Sequence, residues 1–553
     1  MNKTSLRISA SGLALGTAHF KDGALAALAV RDGALVAWQE AYARYGTAAP
    51  AHVAGDFAVV LETREGGRFV AIDRFAIQTL CYRVVNGELL VAQRADGLGA
   101  SNLDPQAIFD YLYFHAIPSP RTIYKGVFRL PPGHYALFEG GKLTVRPYWV
   151  PQFEEGQGES FADLREEFLG ILKNSIACRI EPDRTGCYLS GGTDSSTVSG
   201  MVAQVTGQPA ETYSIGFDVP GYDEMEYARI AVRHFGSHHH EYYVTPDDLV
   251  NGIPLVAASY DQPFGNSSAV PAYYCARLAK QDGIDKLLAG DGGDELFGGN
   301  TRYAKQRIFG IYDSLPSLLR KGVMEPIIDT GLFDRIPLVK KGASYVRQAR
   351  VPMPDRMQTY NLLMRLGLDQ IFTPDYLASI DIDEPQRQQR DVYAACPDSA
   401  SLVNKMLAYD WRYTLAENDL PKVIGSATLA NVGVGFPFLD DRVVDFSLKL
   451  QTSYKLKGLK LRWFFKEALR DFLPEAIIAK KKHGFGLPFG PWAVNHSGLN
   501  KLARDSLHGL GDRGIVRQEF VHTLLNEHLP SHPGFYGEFV WVMTMLEQWL
   551  RSK

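Results

Sequence analysis

Two short segments of the 553-residue chain hold most of the side chains that could do chemistry. The first is Leu189-Ser190-Gly191-Gly192-Thr193-Asp194-Ser195-Ser196, placed where an apolar run gives way to a helical pattern. Glycines let a backbone approach an anion, free N–H groups at a helix start point at it, and serine hydroxyls add donors. The segment therefore reads as a phosphate cradle, with a plain tight turn as the alternative. No lysine follows the glycines and the Walker spacing is absent, which argues against an ordinary P-loop. The second segment, Ala289-Gly290-Asp291-Gly292-Gly293-Asp294-Glu295-Leu296-Phe297-Gly298-Gly299, sets three carboxylates among five glycines. Such carboxylates suit a hard cation, and Mg²⁺ bridging substrate phosphates uses one or two of them. A third cluster, His238–His240, is no metal site on this reading, because side chains on a strand alternate and three in a row cannot face one ion.

These segments need a scaffold that brings them together. From residue 1 to 150 short apolar runs are broken by Gly, Asp and Asn: Ala24–Val30, Phe57–Leu61, Phe69–Ile72, Leu89–Val91 and Tyr135–Phe138. That pattern predicts a β-rich domain. Residues 151–160 are rich in Glu, Gln and Gly without apolar period and read as a linker. From 161 to 553 the rhythm changes. Ser160 with Asp163 resembles a capping box, and Phe161, Leu164, Phe168, Ile171 or Leu172, and Ile176 recur at helical spacing. Strands are expected at Cys187–Leu189, Thr212–Phe217, His240–Val244 and Lys286–Ala289, with helices between them; the rest of the chain is mostly helical. Alternation of this kind predicts an α/β fold, a doubly wound parallel sheet that binds ligands at the carboxyl ends of its strands. Both glycine-rich segments follow such strands, so one nucleotide could touch both.

Bulk composition narrows the function classes. The length implies two or more domains. With 46% hydrophobic and 22% charged residues and no apolar run of ~18 residues, the chain is expected to be soluble and not to span a membrane. Five cysteines, an odd set without CxxC spacing, argue against disulfides and zinc and for the cytosol. A net charge of −4 offers no general reason to bind nucleic acid. Small molecules or peptides are the expected partners.

The two segments together resemble the SGGxDS and GxGxDExFGG turns of the asparagine synthetase family. The resemblance extends through Tyr213–Phe217, Asp223-Glu224, Tyr227-Ala228, Ser237–Glu241, Pro437–Asp440 and Lys482–Pro488, covering nearly the whole chain. It implies an ATP-pyrophosphatase fold behind an amino-terminal glutaminase-like (Ntn-hydrolase-like) domain, and cleavage of ATP to AMP and pyrophosphate as a carboxylate becomes an acyl-adenylate. By the same resemblance Ser190, Gly191, Gly192 and Ser195 hold the pyrophosphate, with Gly290 beside them. Asp194 and Asp294 hold Mg²⁺, and Leu189, Ile215 and Gly216 line the adenine side. Lys482 occupies the family's lysine position in K-x-G-F, where a fixed cation would stabilise the charge developing on phosphorus; a solvated lysine of the run Lys480–Lys482 is the alternative.

Gly55–Ala58, Ile72–Phe75 and Pro118–Thr122 resemble the family's glutaminase domain. That chemistry needs a cysteine at the mature amino terminus, and residue 2 is Asn. The glutamine-holding loop is also missing between Gly46 and Gly55, and Cys81 sits inside an expected strand, so the domain reads as inactive. In the synthetase half, Gly433 and Gly435 stand where amino-acid-amidating members carry Glu-x-Arg, which speaks against aspartate as substrate. Asp291 and Asp410 are candidate general bases for an incoming amine, provided burial or a neighbouring charge raises an otherwise low pKa. Relatives with a dead glutaminase domain close rings. The chain resembles the lasso-peptide macrolactam cyclases more than the β-lactam synthetases, which carry Tyr where Asp291 stands here. The first expectation is therefore a cyclase joining a peptide's first amine to an Asp or Glu side chain, with a precursor peptide and a leader peptidase as partners. The alternatives are an intermolecular ligase using ammonia or an amine on a small carboxylate, β-lactam closure, and an inactive nucleotide-binding scaffold.

Overall fold

Residues of β2 (Val53–Glu62) alternate between two cores, and this sets the layers of the front domain. Phe57, Val59 and Leu61 pack under two helices, whereas Ala58 and Val60 pack against a second sheet. The computed structural model describes residues 12–156, 158–313, 315–320, 322, 325–326, 345–397, 399–480 and 486–553. Within it β1 (Leu13–Phe20), β2, β3 (Arg68–Ile72), β7 (His134–Glu139) and β8 (Lys142–Pro147) form an antiparallel sheet in that order. β5 (Glu88–Ala92), β4 (Cys81–Val85) and β6 (Phe128–Arg129) form a smaller one. The covering helices are α1 (Gly23–Asp32) and α2 (Ala34–Tyr45).

The first of these corrects an expectation, since Ala24–Val30 is helical rather than a strand. A short apolar run cannot be assigned by period alone. Here alanine-rich composition favours the helix, and the Asp22 carboxylate accepts from Ala24 N–H and Leu25 N–H to cap it.

Helix α3 (Pro105–Phe114) leaves the front domain and enters the core of the second: Tyr111 Oη donates to the Val542 carbonyl at 2.8 Å. His115 ends it with φ 62°. Three further contacts dock the domains. Arg129 meets Asp261 at 2.8 Å, Arg74 meets Asp441 at 2.8 Å, and Gly55 N–H donates to Asp441 at 2.7 Å. The described residues of 151–160 form neither strand nor helix, yet they are tied down: Glu155 accepts from Asn404 at 3.1 Å and from Thr452 Oγ1 at 2.5 Å.

The second domain holds a parallel sheet in the order β11 (His238–Tyr243), β10 (Glu211–Gly216), β9 (Thr185–Tyr188), β12 (Lys286–Leu288), β13 (Gly433–Gly435). After α4 (Phe161–Ala177), the helices α5 (Thr193–Thr206), α6 (Met225–Phe235), α7 (Pro246–Ser259) and α8 (Ala269–Gln281) connect the strands. The chain runs outward from β9 to β11 and then returns to the other side of β9 as β12. This places the topological switch between β9 and β12, where the carboxyl ends of the strands open a crevice. Gly433 and Gly435 form the edge strand β13. Along β11 the histidines alternate as expected: His238 and His240 reach Glu211 at 2.8 and 3.0 Å, while His239 turns to Thr212 at 3.0 Å. Among the described residues no helix is long and apolar enough to cross a membrane.

Candidate active site

The two glycine-rich turns leave β9 and β12 side by side and interlock. A Cβ on Gly290 would meet the Ser195 nitrogen at 2.8 Å, and one on Gly293 would overlap the Asp194 carboxylate. The second turn therefore needs glycine because the first lies directly on it. Gly191 has φ +68°, and a Cβ there would strike the backbone of Tyr227 and Ala228 at the start of α6. The glycines are thus explained by close packing of backbone as well as by room for an anion.

Ser190 and Ser195 form the polar lip of the first turn. Their hydroxyls lie 3.0 Å apart, and Ser190 N–H donates to Ser195 Oγ at 3.1 Å. α5 begins at Thr193 with Gly192 as its N-cap and no side chain capping it, so its first N–H groups are directed at the crevice. A cavity of about 540 Å³ opens above them. Leu189, Ser190, Asp194, Ser195, Ile215, Gly290, Asp291 and Asp294 of the expected set line it. Gly191, Gly192 and Gly216 of that set do not line it. In the wall, Tyr188 keeps a buried hydroxyl that meets no partner among the described residues. An orphaned donor beside a hydroxyl-lined helix start fits a nucleotide.

Asp194 and Asp294 converge. Arg462 Nη1 donates to Asp194 Oδ2 at 2.8 Å and to Asp294 Oδ1 at 2.7 Å, and its Nη2 also bonds Asp194. Burial works against the charge of Arg462, but the two carboxylates outweigh it and raise its pKa. Two carboxylates directed at one point and sharing a single guanidinium are a donor set that fits a hard divalent cation.

Deeper in the crevice, Lys422 donates to Asp419 at 3.1 Å and to Asp291 at 3.5 Å. Burial pushes the Asp291 carboxyl up, and the Lys422 ammonium opposes that shift. Asp291 thus has the burial a carboxylate base requires. Asp410 has a different place. It lines neither this cavity nor its neighbour, and its oxygens are taken by Arg302 at 2.6 Å and by the Tyr303 hydroxyl. It holds Arg302 in position rather than facing a substrate, which corrects its expected role as a base. Lys482 lies outside the described residues.

Arg462, Lys422, Tyr188 and His115 escaped the sequence reading. Lys422 stands in Asn418-Asp419-Leu420-Pro421-Lys422-Val423, which carries no glycine-rich turn to mark a site. Arg462 follows Lys460-Leu461 with no glycine or carboxylate beside it to mark a site. In the front domain, burial pushes the Cys81 thiol up to about 11, which removes it as a nucleophile. Asn2 lies outside the described residues.

Comparison with known proteins gives the same outline. The family model described as asparagine synthase matches residues 167–551, and that of a glutamine amidotransferase domain matches residues 36–149. The glutamine-hydrolyzing asparagine synthetase 1 of Bacillus subtilis (strain 168) is 26% identical over 498 residues, 88% of this chain and 76% of that protein. Amidase chyE of Penicillium rubens is 23% identical over 516 residues, 85% of this chain and 75% of its own.

Proposed function

The chain belongs to the asparagine synthase family of ATP-dependent carbon–nitrogen ligases, and from that premise we propose that it is a macrolactam cyclase of the lasso-peptide kind, joining a peptide's first amine to an Asp or Glu side chain. One contrast carries this reading: Asp194 and Asp294 are brought together at the switch point, while Cys81 of the front domain is buried in a strand with its thiol pushed up to about 11, unfit to attack glutamine. Without ammonia from glutamine, the nucleophile arrives as a ready amine.

The residues divide the work. Ser190, Ser195 and the first N–H groups of α5 bind the phosphates of ATP, and Leu189 and Ile215 flank the base. Asp194 and Asp294 would hold Mg²⁺, which supplies charge stabilisation at the phosphates when bound. The substrate carboxylate attacks the α-phosphorus, pyrophosphate leaves, and the acyl-adenylate remains in the crevice. Asp291, half-buried beside Lys422, takes a proton from the amine as it attacks the acyl carbon and AMP departs. A precursor peptide and a peptidase that frees its first amine are the partners this reading requires, and the cytoplasm is the compartment it assumes.

The second reading is an intermolecular ligase that uses ammonia or an amine; the similarity to the Bacillus synthetase and the Penicillium amidase favours it. AMP and pyrophosphate release is measured against precursor-like peptides, amino acids and uronic acids, with and without ammonia. Release driven by a peptide, with a product one water lighter, supports the cyclase. Release that needs a small acid and ammonia replaces it with the amidating ligase, and no AMP with any acid leaves a nucleotide-binding scaffold.

A further inference from the structure

The nucleotide cavity opens toward a second one of about 540 Å³, and His115, Asn418, Asp419 and Glu538 line both. Part of its wall is front domain, from Leu112 to Pro118, so that domain completes the chamber. The wall is strongly aromatic. Phe114 and Tyr413 stack with centroids 5.2 Å apart, and Tyr409 meets Tyr413 at 4.8 Å. Phe535 and Phe539 add two more rings from the helix that carries Glu538.

Charges in the chamber are neutralised locally with one exception. Arg302 is held by Asp410 at 2.6 Å, Glu417 by Arg412 at 2.8 Å, and Asp419 by Lys422 at 3.1 Å. Glu538 has no lysine or arginine partner among the described residues, and His115 lies 3.8 Å from it. Burial pushes that imidazole down to about 4 and pushes the Glu538 carboxyl up against a hydrogen bond from Ser267, so the carboxylate has no cationic partner in the chamber. An uncompensated carboxylate among aromatic faces is the chemistry that recognises an organic cation. The volume is that of a drug-sized ligand, far more than ammonia needs.

We propose that this chamber is the subsite for the amine substrate, that it takes a primary ammonium carried on an apolar or aromatic body such as the first residues of a peptide, and that Glu538 at the shared neck binds the ammonium. The proposal rests on the ligase reading above and adds the acceptor's chemistry to it.

The test is titration calorimetry on the full chain without nucleotide. The probes are phenylalaninamide, its N-acetyl derivative and ammonium chloride. Phenylalaninamide is expected to bind at least tenfold more tightly than the other two. Glu538→Gln is expected to remove its advantage over the acetylated probe, and Phe535→Ala, at a side chain 49% exposed and so tolerant of change, to weaken both aromatic probes. Equal binding of the cationic and acetylated probes, no binding at millimolar concentration, or a preference that survives Glu538→Gln in a protein with unchanged melting temperature overturns the proposal. Its failure is separable from that of the ligase reading. AMP release with an acid substrate but no preference for the cationic probe defeats the subsite alone, whereas that preference without AMP release from any acid defeats only the ligase.

Discussion

Arg462 Nη1 lies 2.7 Å from Asp294 Oδ1 across 168 residues of sequence, and the same nitrogen holds Asp194. A buried guanidinium thus links the two carboxylates to which the proposed mechanism gives the metal. Removing one partner of a buried pair costs about 3–5 kcal/mol because the other charge is left uncompensated. Arg462→Met is therefore expected to lower the unfolding free energy by an amount of that order. Mg²⁺ should raise the melting temperature of this variant more than that of the wild type, because the freed carboxylates gain a cation. Equal Mg²⁺ shifts in the two proteins would show that the carboxylates do not share a cation site.

Asp194→Asn and Asp294→Asn should each slow pyrophosphate exchange by at least ~100-fold, since on the proposed mechanism each removes charge from the point where metal and phosphate would meet. Circular dichroism and melting should stay close to wild type, because asparagine keeps the shape and part of the bonding to Arg462. Exchange at near wild-type rates in both variants would remove them from the site.

Lys422 holds the Asp291 carboxyl down against a burial that pushes it up. Replacing the lysine by methionine removes the opposing charge, so the pKa of Asp291 should rise. A base must be deprotonated to act, and the acid limb of the pH–rate profile for amide formation should shift to higher pH in Lys422→Met. A profile displaced in height but not along the pH axis would assign Lys422 a role in binding only.

Asp261 accepts from Ala95 N–H at 2.8 Å and pairs with Arg129 at 2.8 Å, fastening the front domain to the second. Asp261→Ala strands Arg129 in the interface, again at about 3–5 kcal/mol. Limited proteolysis should then cut the front domain first, while the synthetase half remains protected. Simultaneous loss of both halves would mean that the two domains unfold as one unit.

Lys455 is buried, and desolvation lowers its pKa to about 7 although the Glu155 charge favours the ammonium. In the unfolded chain it titrates near ~10.4. Between these values the unfolded state binds more protons than the folded one, so this residue makes stability rise with pH from about 7 to about 10. Lys455→Met should flatten that rise, which denaturant unfolding at a series of pH values will reveal as a wild type minus variant difference. A constant difference across the window contradicts the lowered pKa.

Periodicity and turn residues were enough to read the second domain. β9, β10, β11 and β12 fall within a residue or two of the segments that suggested them; the inner strands β9, β10 and β12 are written as short, largely buried stretches, whereas β11 is a polar, partly exposed edge strand. α4 was legible from Ser160 onward, since its cap and its apolar stripe agree. Ala24–Val30 misled because seven apolar residues fit either a strand or a helix, and only the Asp22 cap and the sheet beneath decide between them.

The sequence by itself determined the chemistry of the two turns and their place at strand ends, because glycine, serine and aspartate in that order follow from local backbone demands. Only the tertiary structure decided which distant side chains meet them. Arg462, Lys422 and His115 come from segments with no local signature, and each earns its place through packing: strand order brings β9 beside β12, and the docking of α3 carries His115 to the neck of the site. Such contacts depend on how helices and domains pack across hundreds of residues, and no spacing along the chain records that.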